Sequence, residues 1–304
     1  MLLSRGSGRK EGVNVIRATR YVVAVAIAVV LPAVLRAQAV APLTPPTTPW
    51  TGSRTPDGQP DVAGSYAKDW IGARGPNFDL EEGQDPEEMR ATGRNRENFP
   101  KPQIVRTPDG RIPYQPWARE LRTANRKNFF NATELWHLDS NARCLPMGFP
   151  RESLDQGPEI IQTPGFVFFQ YPYNSVVRTI YLDGRAPLND RVKLWYGDSH
   201  GRWDGNTLIV EGRNLNEHGW YDTYGNFHSA DLRIEERFTF VGNKIYYDVT
   251  SHDPKVFTQP WTAHVEFTKR VGTIDEPWET ACFEGERSVQ NMVAPKANQP
   301  RARP

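Results

Sequence analysis

Cysteine is almost missing from this 304-residue chain: there are 2, and they form no CxxC pair, which leaves neither a zinc ribbon nor a disulfide-dense mini-protein. A surplus of one charge is missing as well. With 37 basic and 36 acidic side chains, nothing is available to neutralise a phosphate backbone, so nucleic acid is not an expected partner. The sequence has no phosphate loop, dinucleotide fingerprint, EF-hand or haem-attachment motif, and none of its six His form an HExxH pair, so no cofactor and no resident metal are implied. Long apolar runs are confined to one, residues 21–35, which is short for a membrane span and broken by Pro32.

That run is preceded by Arg5, Arg9, Lys10, Arg17 and Arg20 and followed by Ala37-Gln38-Ala39. A basic region, an apolar stretch and a small-x-small site describe a secretory leader, here residues 1–39 with cleavage after Ala39; the alternative is an uncleaved N-terminal anchor. The expected compartment is the periplasm or the exterior, with no membrane attachment once the leader is gone. The remaining 265 residues would carry 31 basic and 35 acidic side chains. Export makes thiols oxidisable, so Cys144 and Cys282 are an expected disulfide, closing a loop worth ~4 kcal/mol if unstrained.

Residues 40–60 are rich in Pro and Thr and read as an extended linker or strap. One β-rich domain is expected over 61–287, followed by a disordered tail at 288–304. Within it, 61–158 reads as an irregular wrap with one or two short helices. Asp85-Pro86-Glu87-Glu88 has the chemistry of a helix start, and a second helix fits Pro116 to about Lys127. From 159 to 270 the texture turns to strands: 166–171, 176–182, 192–196, a hairpin across Trp203-Asp204-Gly205-Asn206, and 232–241 turning through Gly242-Asn243 into 245–251, then 262–269. The expected fold is mainly β, an antiparallel meander forming a calycin-like barrel or strongly curved sheet. A two-sheet β-sandwich is the alternative.

TPDGQPDVAGSY (55–66), CLPMGFPR (144–151), RTIYLDGR (178–185), GDSHGRWDGNTLIVE (197–211), HSADLRIEER (228–237) and DPKVFTQPWT (253–262) follow one another along the chain. In these segments the chain resembles a large family of exported bacterial proteins. The resemblance implies export and a single β-rich domain, and brings no reaction with it. Two positions depart from the family pattern: Asn206 stands where the middle signature usually has Asp, and Tyr66 where the first usually ends in Trp.

Glu236 is the most informative candidate. In Leu232-Ile234-Glu236-Phe238-Phe240 a period of two puts its carboxylate on the apolar face, with Arg233, Glu235, Arg237 and Thr239 opposite. A carboxylate aimed into a core is paired or protonated. It is either a general acid or base, with His228 and Arg237 nearby in sequence, or half of a structural ion pair with Arg178 or Arg202. Asp248, Thr250 and His252 with His264 and Glu266 form a polar stripe, a site if it lines a cavity and an ordinary face if it meets water. Imidazoles on separate strands also raise a metal reading, without ligand spacing to support it. Tyr181, Trp203, Trp220, Tyr221 and Trp261 offer flat aromatic surfaces for a ligand, with Arg178, Arg202 and His264 as polar contacts, or else they anchor loops. The leading functional expectation is an exported barrel that binds a small aromatic or apolar molecule. The alternatives are a cofactor-independent lyase, isomerase or hydrolase acting on such a molecule, and a structural protein of the cell envelope.

Overall fold

The computed structural model describes residues 44–69, 80–81, 107, 109–129, 131–272 and 292–293. The leader, the helix start at Asp85, Cys282 and all but two residues of the tail lie outside them. Nine strands close into a barrel in chain order: β1 Gly64–Lys68, β2 Glu159–Thr163, β3 Phe166–Tyr171, β4 Val176–Tyr181, β5 Asp198–Asp204, β6 Thr207–Arg213, β7 Arg233–Val241, β8 Lys244–His252 and β9 Trp261–Lys269. Among the described residues two α-helices accompany them, α1 Pro116–Phe129 and the single turn α2 Arg151–Asp155. The mainly β barrel read from the sequence is therefore the fold. No helix among the described residues is long and apolar enough to cross a membrane.

Three features differ from the meander expected. Gly64–Lys68, assigned to the irregular wrap, is the strand that closes the barrel, pairing with β2 on one side and β9 on the other. Residues 192–196 are not a regular strand; Leu194 makes only an isolated bridge to Leu215, within a connection whose side chains from Leu188 to Leu194 are exposed. That connection brings β5 alongside β4 in parallel through Tyr181 and His200, the one parallel contact in the barrel.

Alternation along the strands sorts the side chains. On β7, β8 and β9 the inward rows are Ile234, Ser251 and Trp261, then Glu236, Val249 and Ala263, then Phe238, Tyr247 and Val265, then Phe240, Ile245 and Phe267. Phe238 stacks on Tyr247 at 4.5 Å between ring centroids and meets Phe169 edge-on at 4.9 Å. Each such ring, taken fully out of water, contributes roughly 1.5–3 kcal/mol, so the lumen is a packed core at this level.

The two ends are closed differently. At one, which also carries the Gly242-Asn243 turn, the hairpin turn Gly205-Asn206 meets the strap of residues 44–60. Asn206 holds this end: its Nδ2–H donates to the Phe240 carbonyl (2.9 Å), its Oδ1 accepts from the Thr48 N–H (2.8 Å), and its own N–H donates to the Thr48 carbonyl (2.9 Å). Gly205 has φ +54°, and a Cβ there would sit 2.1 Å from the Thr48 carbonyl oxygen, so the strap can lie this close only over glycine. The other end, where β3, β7 and β9 show Tyr171, Ile234 and Trp261, is capped by α2 and irregular segments; it is called the α2 end below.

Candidate functional site

Inside the barrel, Glu236 is fully buried and accepts three hydrogen bonds. Arg178 of β4 donates through Nη1 at 2.9 Å and through Nη2, and the Tyr247 hydroxyl donates at 2.7 Å. Arg178 gives its Nε–H to Ser199 Oγ (3.0 Å), and its guanidinium lies 4.1 Å from the centre of the Phe149 ring. A bidentate pair whose lone pairs and protons are taken up in this way can persist in a dry core. The partner is Arg178, as one reading of the sequence had it. Arg202, the other candidate, is exposed on the outer face of β5. Burial and the Glu236 charge push the Tyr247 phenol well above its ordinary value, which keeps it a proton donor to the carboxylate.

The polar stripe of β8 and β9 lies on the outer surface and is wetted only in part: His252 is exposed, and Thr250 and Glu266 are half-buried. His264 and Asp248 are buried where the strap crosses them. His264 Nδ1 meets Asp248 Oδ1 at 2.7 Å, and the Thr44 hydroxyl donates to Asp248 Oδ2 at 2.7 Å. Thr47 Oγ1 lies 3.0 Å from Thr207 Oγ1 and accepts from Arg237 at 3.1 Å. At Asp248 and His264, what would otherwise be an ordinary solvated face is thus covered by the strap, with Thr44 hydrogen-bonded to it.

The α2 end holds a second buried charged group. Arg151, itself only 1% exposed, donates to Asp139 and, through Nε, to Asp155 at 3.2 Å. Next to it Glu152 is buried completely: Oε2 accepts from Gln156 at 3.0 Å, and Oε1 has no partner. Ser140 Oγ, Asn141 Oδ1 and Arg151 Nη2 are likewise buried and unpartnered in the same capping segment. Burial, with the charge of Asp155, pushes the Glu152 carboxyl up to about 8 against the opposing pull of Arg151 and the Met147 backbone. Tyr196 stands beside it, half-buried; burial first, then the Glu152 and Tyr173 charges, push its phenol up. Its ring packs edge-on against Phe149 at 5.4 Å, the same ring that covers Arg178. Ser153 of α2 shares a 2.6 Å hydrogen bond with Tyr171, tying the cap to the lumen.

Comparison with protein-family models, curated proteins and solved structures gives no match. The reading of this site therefore rests on the chain's own geometry.

The structure brings together Tyr221, His228 and Trp261 near the α2 end: Tyr221 faces His228 at 5.4 Å and Trp261 at 5.0 Å, and donates to Ser251 at 2.9 Å. His228 is pushed down by burial, against the opposing pull of the Ser229 carbonyl, 3.0 Å from its Nδ1, and of the Asp253 and Glu217 charges. It is not a partner of Glu236. Arg237 points outward, as the residue after an inward one must. Tyr181 is also outside, under the Arg185 guanidinium at 4.0 Å. Trp203 is at the opposite end, against Phe240 at 5.7 Å, and Trp220 is half-buried, bridged to Phe227. Sequence reasoning missed Glu152, although it immediately follows the CLPMGFPR segment. One signal was available: the Arg151-Glu152 pair that ends a run of turn and apolar residues, 145–150.

Proposed function

We propose that this chain is an exported small-molecule-binding protein of the family its segments resemble, taking an aromatic or apolar ligand at the α2 end of the barrel. The observation that carries this is that four of the eight buried polar side-chain atoms without partners among the described residues, Ser140 Oγ, Asn141 Oδ1, Arg151 Nη2 and Glu152 Oε1, fall in one capping segment. Such atoms are rare in native interiors, because each costs about 1–3 kcal/mol unless something hydrogen-bonds to it. The Phe149, Tyr173, Trp195 and Tyr196 rings belong to the same capping segments and supply apolar surface, and the rigid barrel beneath fixes their positions. An exported chain with a Cys144–Cys282 cross-link would have this capping segment covalently tied to the C-terminal part of the chain. The near balance of charge and the aromatic content fit a small neutral ligand better than a nucleic acid or a charged polymer.

The test is a thermal-shift and tryptophan-fluorescence screen of the purified protein against small aromatic compounds of varied polarity. A ligand present at a hundred times its Kd adds about 2.7 kcal/mol, a rise of roughly 5–10 °C for a domain of this size. If no compound moves either signal, the binding reading fails and the structural-protein reading takes its place.

A further inference from the structure

The α2 end carries a more specific chemistry than aromatic binding, and the argument for it rests on the binding reading above. Glu152 has no counter-ion of its own. The Arg151 guanidinium donates to Asp139 and Asp155, and the Lys68 ammonium of β1 donates to the Leu154 carbonyl and feels Asp155. Three carboxyl groups thus share two cations, and Glu152 is the one that touches neither. A carboxylate at zero exposure without a cation is costly in a dry site, so the group holds its proton and acts as a donor. The Tyr196 hydroxyl is a second neutral donor, and it makes no hydrogen bond among the described residues. The remaining groups facing Glu152 are also neutral: the phenols Tyr171 of β3 and Tyr173 of the following turn, with Tyr171 already bonded to Ser153. Asp222 acts on the same cluster only through Arg151.

We propose that the Glu152 carboxylic acid and the Tyr196 phenol form a two-donor site for the carbonyl or phenolic oxygen of a small aromatic ligand, whose ring would lie against Phe149 and Tyr173. A pair of neutral donors in an apolar setting favours an oxygen that carries partial or full negative charge, and it rejects an ammonium, which has nothing to accept from it. The class is therefore aryl ketones and phenols rather than amines or hydrocarbons.

The experiment uses acetophenone, para-nitrophenol, benzylamine and toluene as probes, with affinity read by calorimetry on the wild-type protein, Glu152→Gln and Tyr196→Phe, each checked for fold by circular dichroism. Acetophenone and para-nitrophenol should bind, with benzylamine and toluene at least tenfold weaker. Acetophenone does not titrate, so its affinity should be flat below neutrality and fall about tenfold per pH unit above about 8, where Glu152 loses its proton. Glu152→Gln keeps a donor N–H and should abolish that fall while retaining binding at pH 6. Tyr196→Phe should weaken acetophenone roughly five- to tenfold, the worth of one neutral hydrogen bond, without altering the pH profile. A purely structural Glu152 would leave the profile unchanged in Glu152→Gln. If ketones bind with flat pH dependence and no response to Tyr196→Phe, the two-donor site is wrong while the binding function stands. If benzylamine binds best, Glu152 is ionised and the assignment is overturned. If none of the four probes binds but other aromatic compounds do, the ligand class is wrong; if nothing binds, the function itself is wrong.

Discussion

Arg178→Met is the perturbation whose cost follows most directly from the structure. It removes the guanidinium and leaves Glu236 fully buried with a single remaining donor, the Tyr247 hydroxyl at 2.7 Å. Breaking a buried pair in this way costs about 3–5 kcal/mol, because one charge stays behind without compensation. For a domain of roughly 150–250 residues that is a fall in Tm on the order of 10 °C. The orphaned carboxyl can escape only by taking a proton, so the penalty should shrink as pH is lowered. The double variant Arg178→Met with Glu236→Leu removes both charges and should recover much of the loss, leaving mainly the unpaired Tyr247 and Ser199 hydroxyls. Urea unfolding of the wild type, both single variants and the double gives the coupling energy, expected to exceed about 2 kcal/mol. A single Arg178→Met variant within about 1 kcal/mol of the wild type, or singles whose losses simply add, would refute the pair as a buried, desolvated unit.

Two further outcomes are expected. Asn206→Asp exchanges a donor for an acceptor against the Phe240 carbonyl, 2.9 Å away, and should cost about 1–3 kcal/mol and expose the 44–60 strap to limited proteolysis before the barrel itself unfolds; equal cleavage rates for the two proteins would show that the strap is held elsewhere. Glu152 is raised in the folded state from 4.5 to about 8, so folding is favoured while the carboxyl keeps its proton and the contribution is lost as pH rises between those values. Glu152→Gln, which does not titrate, should therefore gain stability relative to the wild type by roughly 3–5 kcal/mol on going from pH 4 to pH 9; a constant difference over that range contradicts a buried neutral acid.

The inward face of β7 was legible because a period of two leaves no freedom: once Ile234, Phe238 and Phe240 are inside, so is Glu236. Arg178 was legible for the same reason on β4. β1 was not, since GSYAK is only five residues and opens on Gly64 with positive φ, and its burial comes from partners about 100 and 200 residues away. The outer stripe was recognised as a face, but its fate depended on a strap whose docking no local pattern encodes. Glu152 was hidden because a single helical turn has no periodicity to read; what buries it is the way residues 139–156 fold across the barrel end. Local alternation reports which way a strand side chain points, and says nothing of what arrives from elsewhere to cover it.

The closure of the barrel through β1 has a kinetic consequence. Residues 66–68 pair with 267–269, so the last seam joins segments about as far apart in sequence as the domain allows. Non-local pairing of this kind is slow, because the entropy of closing the intervening loop is lost before the contact forms. While the chain is being made, everything up to β8 can form an open sheet, but both its edges stay unpaired until Trp261–Lys269 has emerged. A chain of this design closes its barrel only once Trp261–Lys269 is available to pair with both β8 and β1. The same design makes any truncation before residue 261 a source of exposed, aggregation-prone strand edges.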